Sequence, residues 1–127
     1  MNVNEHELIQ LAVGAAYEVS NTLECGFLEK VYRLALAREL RLQGLCVETE
    51  VKYSIQYKSE CAGEYFADLI LERKLVIELK CVERFANEHL AQCLNYLKAS
   101  GLSLALLINF QHPRVEWRKI IGRFDSR

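Results

Sequence analysis

Proline occurs once, at Pro113, so no proline-rich linker divides the 127 residues. Glycine is sparse, with six copies, and no repeat or low-complexity stretch is visible. The length suits one domain spanning residues 1–127. A chain of this size buries roughly two thirds of its unfolded surface, enough to fold alone. No charge of one sign dominates: 16 Lys/Arg against 17 Asp/Glu leave a net charge of −1. The whole-molecule field therefore does not announce a nucleic-acid binder. No C-x-x-C pair occurs among Cys25, Cys46, Cys61, Cys81 and Cys93, and the count is odd. That argues against a zinc or disulfide framework and for buried, reduced thiols. No long hydrophobic run exists. The longest uncharged stretch, Ala99 to Pro113, is too short and too polar to span a bilayer. The N-terminus has no basic segment of the signal-peptide kind. The expected location is the cytoplasm, with no membrane partner.

What is present is ordinary globular composition, 51% hydrophobic and 26% charged. That excludes a disordered tail, a collagen-like chain and a disulfide miniprotein. Charge is uneven along the chain. Residues 1–64 carry six basic and ten acidic side chains, and residues 65–127 carry ten and seven. The basic excess peaks at Arg114, Arg118, Lys119, Arg123 and Arg127. This strip reads as phosphate-facing or as a solvated strand edge.

Asn4 with Glu7 reads as a capping box, followed by an apolar helical stripe to about Leu23. A second helix is expected from about Phe27 to Gln43, with Gly44 just past its end. The period then changes to two over Val47 to Tyr57, a half-buried strand. Lys58 to Gly63 reads as a turn. Tyr65 to Leu71 and Leu75 to Cys81 read as strands joined by Glu72-Arg73-Lys74. Asn87 is placed to cap a third helix that Gly101 ends. Leu102 to Phe110 reads as a strand buried on both faces, as in a parallel pairing. Val115 to Ile121 reads as a last, more polar strand. The order is ααβββαββ, and the link from Cys81 to Leu102 is long enough for a crossover.

Acid inside apolar strands is the odd feature. Asp68 sits in Phe-Ala-Asp-Leu-Ile-Leu, and Glu78 and Lys80 sit in Leu-Val-Ile-Glu-Leu-Lys. A carboxylate in a buried sheet costs several kcal/mol unless it is paired or metal-bound. Glu78 and Lys80 are two apart and share a face, while Leu79 points the other way. Asp68 shares that face only if the connection is a three-residue loop or carries a bulge, which pairs Leu71 with Leu75 and Asp68 with Glu78. Two carboxylates a strand apart repel, and a divalent cation such as Mg²⁺ removes the repulsion. A lysine beside it suits phosphodiester hydrolysis. The alternative is a wet sheet edge in which Asp68 and Glu78 pair with Lys80 and Arg73. Two further groups are notable. Glu29 falls in the first turn of the second helix, and Gln92 and Tyr96 lie four apart on the third.

Together, helix-Glu29, strand-Asp68, strand-Glu78-x-Lys80 and the Gln92-x-x-x-Tyr96 helix resemble the PD-(D/E)XK nuclease superfamily, in its RecB-type and Cas4-like branch. More narrowly the chain resembles the small bacterial GxxExxY family. Gly26, Glu29 and Tyr32 carry that motif, and Ala67-Asp68-Leu69, Val76 to Lys80, Gln92 with Leu94 to Leu97, and Leu106 to Phe110 fit it. The fit departs at Ser20, Glu24-Cys25, Ser59 and Phe66. The resemblance implies an α/β, restriction-endonuclease-like core (αβββαβ), a mixed sheet flanked by helices. One additional N-terminal helix and a C-terminal strand are added to it. It implies that Asp68 and Glu78 bind Mg²⁺ or Mn²⁺, with the Leu79 carbonyl as a further ligand and Glu29 joining directly or through water. Lys80 would be the catalytic lysine, and Gln92 and Tyr96 would position the site or the nucleic acid.

The resulting expectation is a metal-dependent nuclease acting on nucleic acid, DNA over RNA. The alternatives are a nuclease-fold module that binds nucleic acid without cutting it, and a protein-interaction module. So small a chain has little surface to wrap a duplex, which makes room for a homodimer or a partner protein.

Overall fold

The Asn4 side chain accepts the N–H of Glu7 at 2.9 Å, as the expected cap, while the Glu7 carboxylate accepts the Asn4 side-chain amide at 2.6 Å in place of the backbone N–H of a full capping box. This starts α1, Glu5–Leu23, in a computed structural model that describes residues 3–122. The next helix, α2, runs Glu29–Leu42. It begins two residues later than the sequence pattern suggests. The Phe27 N–H is held by the Tyr32 hydroxyl, and Leu28 stays extended as the cap. Gly44, at φ +84°, supplies the left-handed residue past the helix end.

Five strands follow in one sheet of order β1-β2-β3-β4-β5. They are β1 Val47–Tyr57, β2 Glu60–Leu71, β3 Leu75–Lys80, β4 Leu104–Asn109 and β5 Glu116–Ile121. Helix α3, Asn87–Ser100, makes the crossover between β3 and β4, the parallel pair. The other neighbours are antiparallel. The architecture is the expected mixed α/β sheet flanked by helices.

Three local expectations need correction. The turn between β1 and β2 is only Lys58-Ser59, both at positive φ, and β2 starts at Glu60 rather than Tyr65. Two left-handed residues form a hairpin turn whose twist suits the strands, so a longer loop is unnecessary. A bulge near Gln56 absorbs the extra residue. Ala86, not Asn87, caps α3: its N–H donates to His89 Nδ1 at 2.9 Å. The cysteines are all free, yet only Cys93 is buried; Cys25, Cys46 and Cys61 are exposed.

Two apolar layers sandwich the sheet. Leu69, Leu71, Leu75, Ile77 and Leu79 face α1 and α2. Ile70, Val76, Ala105 and Leu107 face Cys93, Tyr96 and Leu97 of α3. Every residue of β4 is buried, as its near-continuous apolar run implies. β5 is an exposed edge, so Arg118 and Lys119 of the basic strip lie on a solvated strand. Arg123 and Arg127 lie outside the described residues. No helix among the described residues is long and apolar enough to cross a membrane.

Candidate active site

The loop joining β2 to β3 is Glu72-Arg73-Lys74, with Glu72 and Arg73 in the left-handed region and Leu71 opposite Leu75. That register sets Asp68 opposite Glu78. The ladder stops at Leu69 and Ile77. Beyond it the two carboxylates replace the missing backbone partners. Glu78 Oε1 accepts the Asp68 N–H at 3.0 Å, and Asp68 Oδ2 accepts the Leu79 N–H at 2.8 Å. Each acid thus stands between the strands, where β2 parts from β3.

Glu78 is 4% exposed, which overturns the wet-edge alternative. Arg73 instead lies 3.9 Å from Glu48. Burial, and then the charge of Asp68, push the Glu78 carboxyl up to about 8, although the Lys80 charge pulls it back. A buried carboxylate with a second beside it calls for a proton or a cation. The donors are hard oxygens, a set suited to Mg²⁺ or Mn²⁺. The Lys80 carbonyl accepts the Phe110 N–H at 2.9 Å and so faces β4. One residue earlier, the backbone of Leu79 faces β2, so its carbonyl is directed to the same side as Asp68. The residues therefore fit a divalent cation.

The other expected residues are placed less tightly. Lys80 is half-buried, makes no ion pair within 4.0 Å among the described residues, and lines a concavity of about 580 Å³ with Gln92, Glu64, His89 and Asn95. Gln92 is exposed on that wall. Asp68 lines a different opening of about 440 Å³, with Arg33, Glu50, Phe66 and Ala67. Tyr96 is buried under the sheet, its hydroxyl donating to the Val51 carbonyl at 3.3 Å. Burial, then the Glu78 charge, raise its phenol above the ordinary value. Cys93 beside it is pushed up to about 12 by burial first and Glu78 second. Glu29 is exposed at the start of α2, near enough to Cys81 that its charge, after burial, raises that thiol. Among the described residues no three His, Cys, Asp or Glu side chains gather as one metal-ligand group, so Glu29 is not drawn up to Asp68 and Glu78.

The roles of three supporting residues escaped sequence reasoning. Tyr32 of the helix motif is buried. Its hydroxyl donates to the Glu24 carbonyl at 2.6 Å and accepts the Phe27 N–H at 3.2 Å. It clamps the loop that delivers Glu29. Asn109 is fully buried and bonds both backbone groups of Val82, at 2.7 and 3.1 Å, fixing the chain just past Lys80. Arg33 lies 2.8 Å from Glu50 and 3.7 Å from Asp68. Its position one helical turn after Glu29 was the available signal.

A family model of the PD-(D/E)XK nuclease superfamily matches residues 6–120. The chain belongs to that superfamily. Its nucleases generally use divalent metals and act on nucleic acid. The crystal structure of SSO0001 shares this PD-(D/E)XK chain's fold, with a TM-score of 0.61 at 23% identity. That likeness covers 96% of this chain but 61% of the other, so this chain spans about three fifths of SSO0001. No curated protein matches the chain.

Proposed function

We propose that this PD-(D/E)XK protein is a metal-dependent nuclease that hydrolyses phosphodiester bonds, in DNA rather than RNA. We place it in the GxxExxY family of the RecB/Cas4-like branch, as a single cytoplasmic domain over residues 1–127. The observation that carries this reading is the pair of carboxylates at the parting of β2 and β3, Glu78 accepting the Asp68 N–H and Asp68 the Leu79 N–H. A structural sheet gains little from two acids there.

Asp68 and Glu78 would hold Mg²⁺ or Mn²⁺, with the Leu79 carbonyl beside them and Glu29 joining through water. A divalent cation bound there supplies an acidified water and neutralises charge on a phosphoryl oxygen. The Lys80 ammonium, in no ion pair with the described residues, stabilises negative charge as it develops on the phosphate. Gln92 meets the nucleic acid along the concavity that Lys80 shares. Tyr96 acts through others: it ties α3 to β1 and keeps both packed behind Glu78.

The test is Mn²⁺-dependent cleavage of oligonucleotides by wild type, Asp68→Ala and Lys80→Ala, with folding checked by circular dichroism. Each variant is expected to lose about 100-fold or more in rate, the usual scale for a lost catalytic group. Cleavage that survives both changes overturns the assignment. Steeply salt-dependent binding without any cleavage by wild type identifies a binding module instead. A stable dimer that neither binds nor cuts identifies an interaction module.

A further inference from the structure

Arg33 is the residue with unfinished bonding. Its guanidinium touches Glu50 at 2.8 Å and stands 3.7 Å from Asp68 Oδ1, yet its Nε is buried and has no hydrogen-bond partner among the described residues. A buried donor without a partner is rare enough in native sites to need a cause. Glu50 is also unusual. It adopts φ +51° within β1, between the pairs Thr49–Leu69 and Val51–Ala67, opposite Asp68. A non-glycine residue held in that region is strained, and such strain collects at functional sites. Glu50 and Asp68 therefore compete for one guanidinium at the mouth of the site. Both line the same opening with Arg33.

We propose that Arg33 is a positioning residue that exchanges Asp68 for a nucleic-acid phosphate when the site takes up its cation. This rests on the reading of Asp68 and Glu78 as cation ligands. Without a cation, Arg33 is the positive charge nearest the outer oxygen of Asp68. A divalent ion held by Asp68 would repel the guanidinium. Glu50, whose side chain is two-thirds exposed, retains it at the rim. There the planar fork, with Nε still to be satisfied, fits phosphate oxygens better than a lysine would.

The experiment is Mn²⁺ titration followed by paramagnetic resonance, with binding of a labelled single-stranded DNA oligonucleotide in Ca²⁺ as a second readout. The variants are Arg33→Met, Glu50→Gln and Lys30→Met, the last removing an exposed charge from the same helix without touching Asp68. Arg33→Met is expected to bind Mn²⁺ about tenfold more tightly, because the competing charge is gone, and the oligonucleotide about tenfold more weakly. Glu50→Gln leaves Arg33 to Asp68 alone and is expected to weaken Mn²⁺ binding. Lys30→Met is expected to change neither. Should Arg33→Met fail to fold, Glu50→Gln decides: unchanged or tighter Mn²⁺ binding overturns the proposal. Mn²⁺ uptake by wild type that Arg33→Met does not alter, or that Lys30→Met alters equally, overturns it alone. Wild type that takes up no Mn²⁺ removes the metal site and this proposal together.

Discussion

Tyr32 lies flat against Phe110, with ring centroids 4.8 Å apart and planes 8° from parallel. One ring comes from α2 and the other follows β4, so the stack joins the helix bearing Glu29 to the central strand. The Tyr32 hydroxyl then reaches back to Glu24 and Phe27. This one side chain connects the sheet to the loop before Glu29.

Tyr32→Phe keeps the stack and removes only the hydroxyl. Stability is expected to fall by about 1 kcal/mol, the usual worth of a buried hydrogen bond. Under the proposed function, cleavage falls by more than that loss accounts for, because Glu29 is no longer delivered by a fixed loop. Urea denaturation and cleavage rates on the same preparation check this. Equal, small losses in both would give Tyr32 a packing role only.

Asn109→Ala leaves the N–H and carbonyl of Val82 without their side-chain partners. A stability loss of about 1 kcal/mol is expected, since half-buried polar groups lose their partners and water replaces them only in part. Hydrogen exchange should rise first at residues 81–83, just past Lys80. Exchange that rises uniformly over the sheet would contradict this local role.

Glu78 gives the metal-free protein a pH dependence of definite sign. Its folded-state value near 8 lies above the ordinary 4.5, so the protonated form favours folding. That stability is complete below about pH 4.5 and is lost as pH rises through 8. Glu78→Gln, neutral throughout, is expected to remove the slope and to be the more stable protein at pH 9, by on the order of a few kcal/mol. Lys80→Met removes the charge that lowers this value and should move the transition to still higher pH. Denaturation series in a chelating buffer from pH 5 to pH 9 (about four units, enough to span the transition) measure both effects. A flat wild-type profile would contradict the buried, coupled carboxyl.

Local chemistry made much of this protein legible. Alternation from Val47 to Val51 and the near-continuous apolar run before Phe110 mark an outer and an inner strand, although Tyr53 and Tyr57 farther along β1 are exposed. The parity of the three-residue loop at Glu72 to Lys74 was enough to oppose Asp68 to Glu78, since a register shift of one residue reverses the face. What stayed hidden depends on contacts distant in sequence or on backbone that side-chain type does not encode. Arg33 and Asp68 are 35 positions apart and belong to different elements. Glu50 at positive φ looks, as a sequence, like any polar residue of an alternating strand. His89 accepts the Ala86 N–H, a role usually filled by Glu or Gln, and the cap is an alanine with no side chain to offer, so Asn87 looks the better cap in sequence. The hydroxyl of Tyr96 ends on a strand carbonyl rather than in the open concavity, a distinction helical spacing alone does not make.

The most direct test of the account is a crystal of the protein soaked in Mn²⁺ and measured for anomalous scattering. The account predicts one strong peak within coordination distance of both Asp68 and Glu78, on the side of the Leu79 carbonyl, with the Arg33 guanidinium moved away from Asp68. A map with no peak between those two carboxylates, or with Mn²⁺ held only elsewhere on the surface, would contradict it.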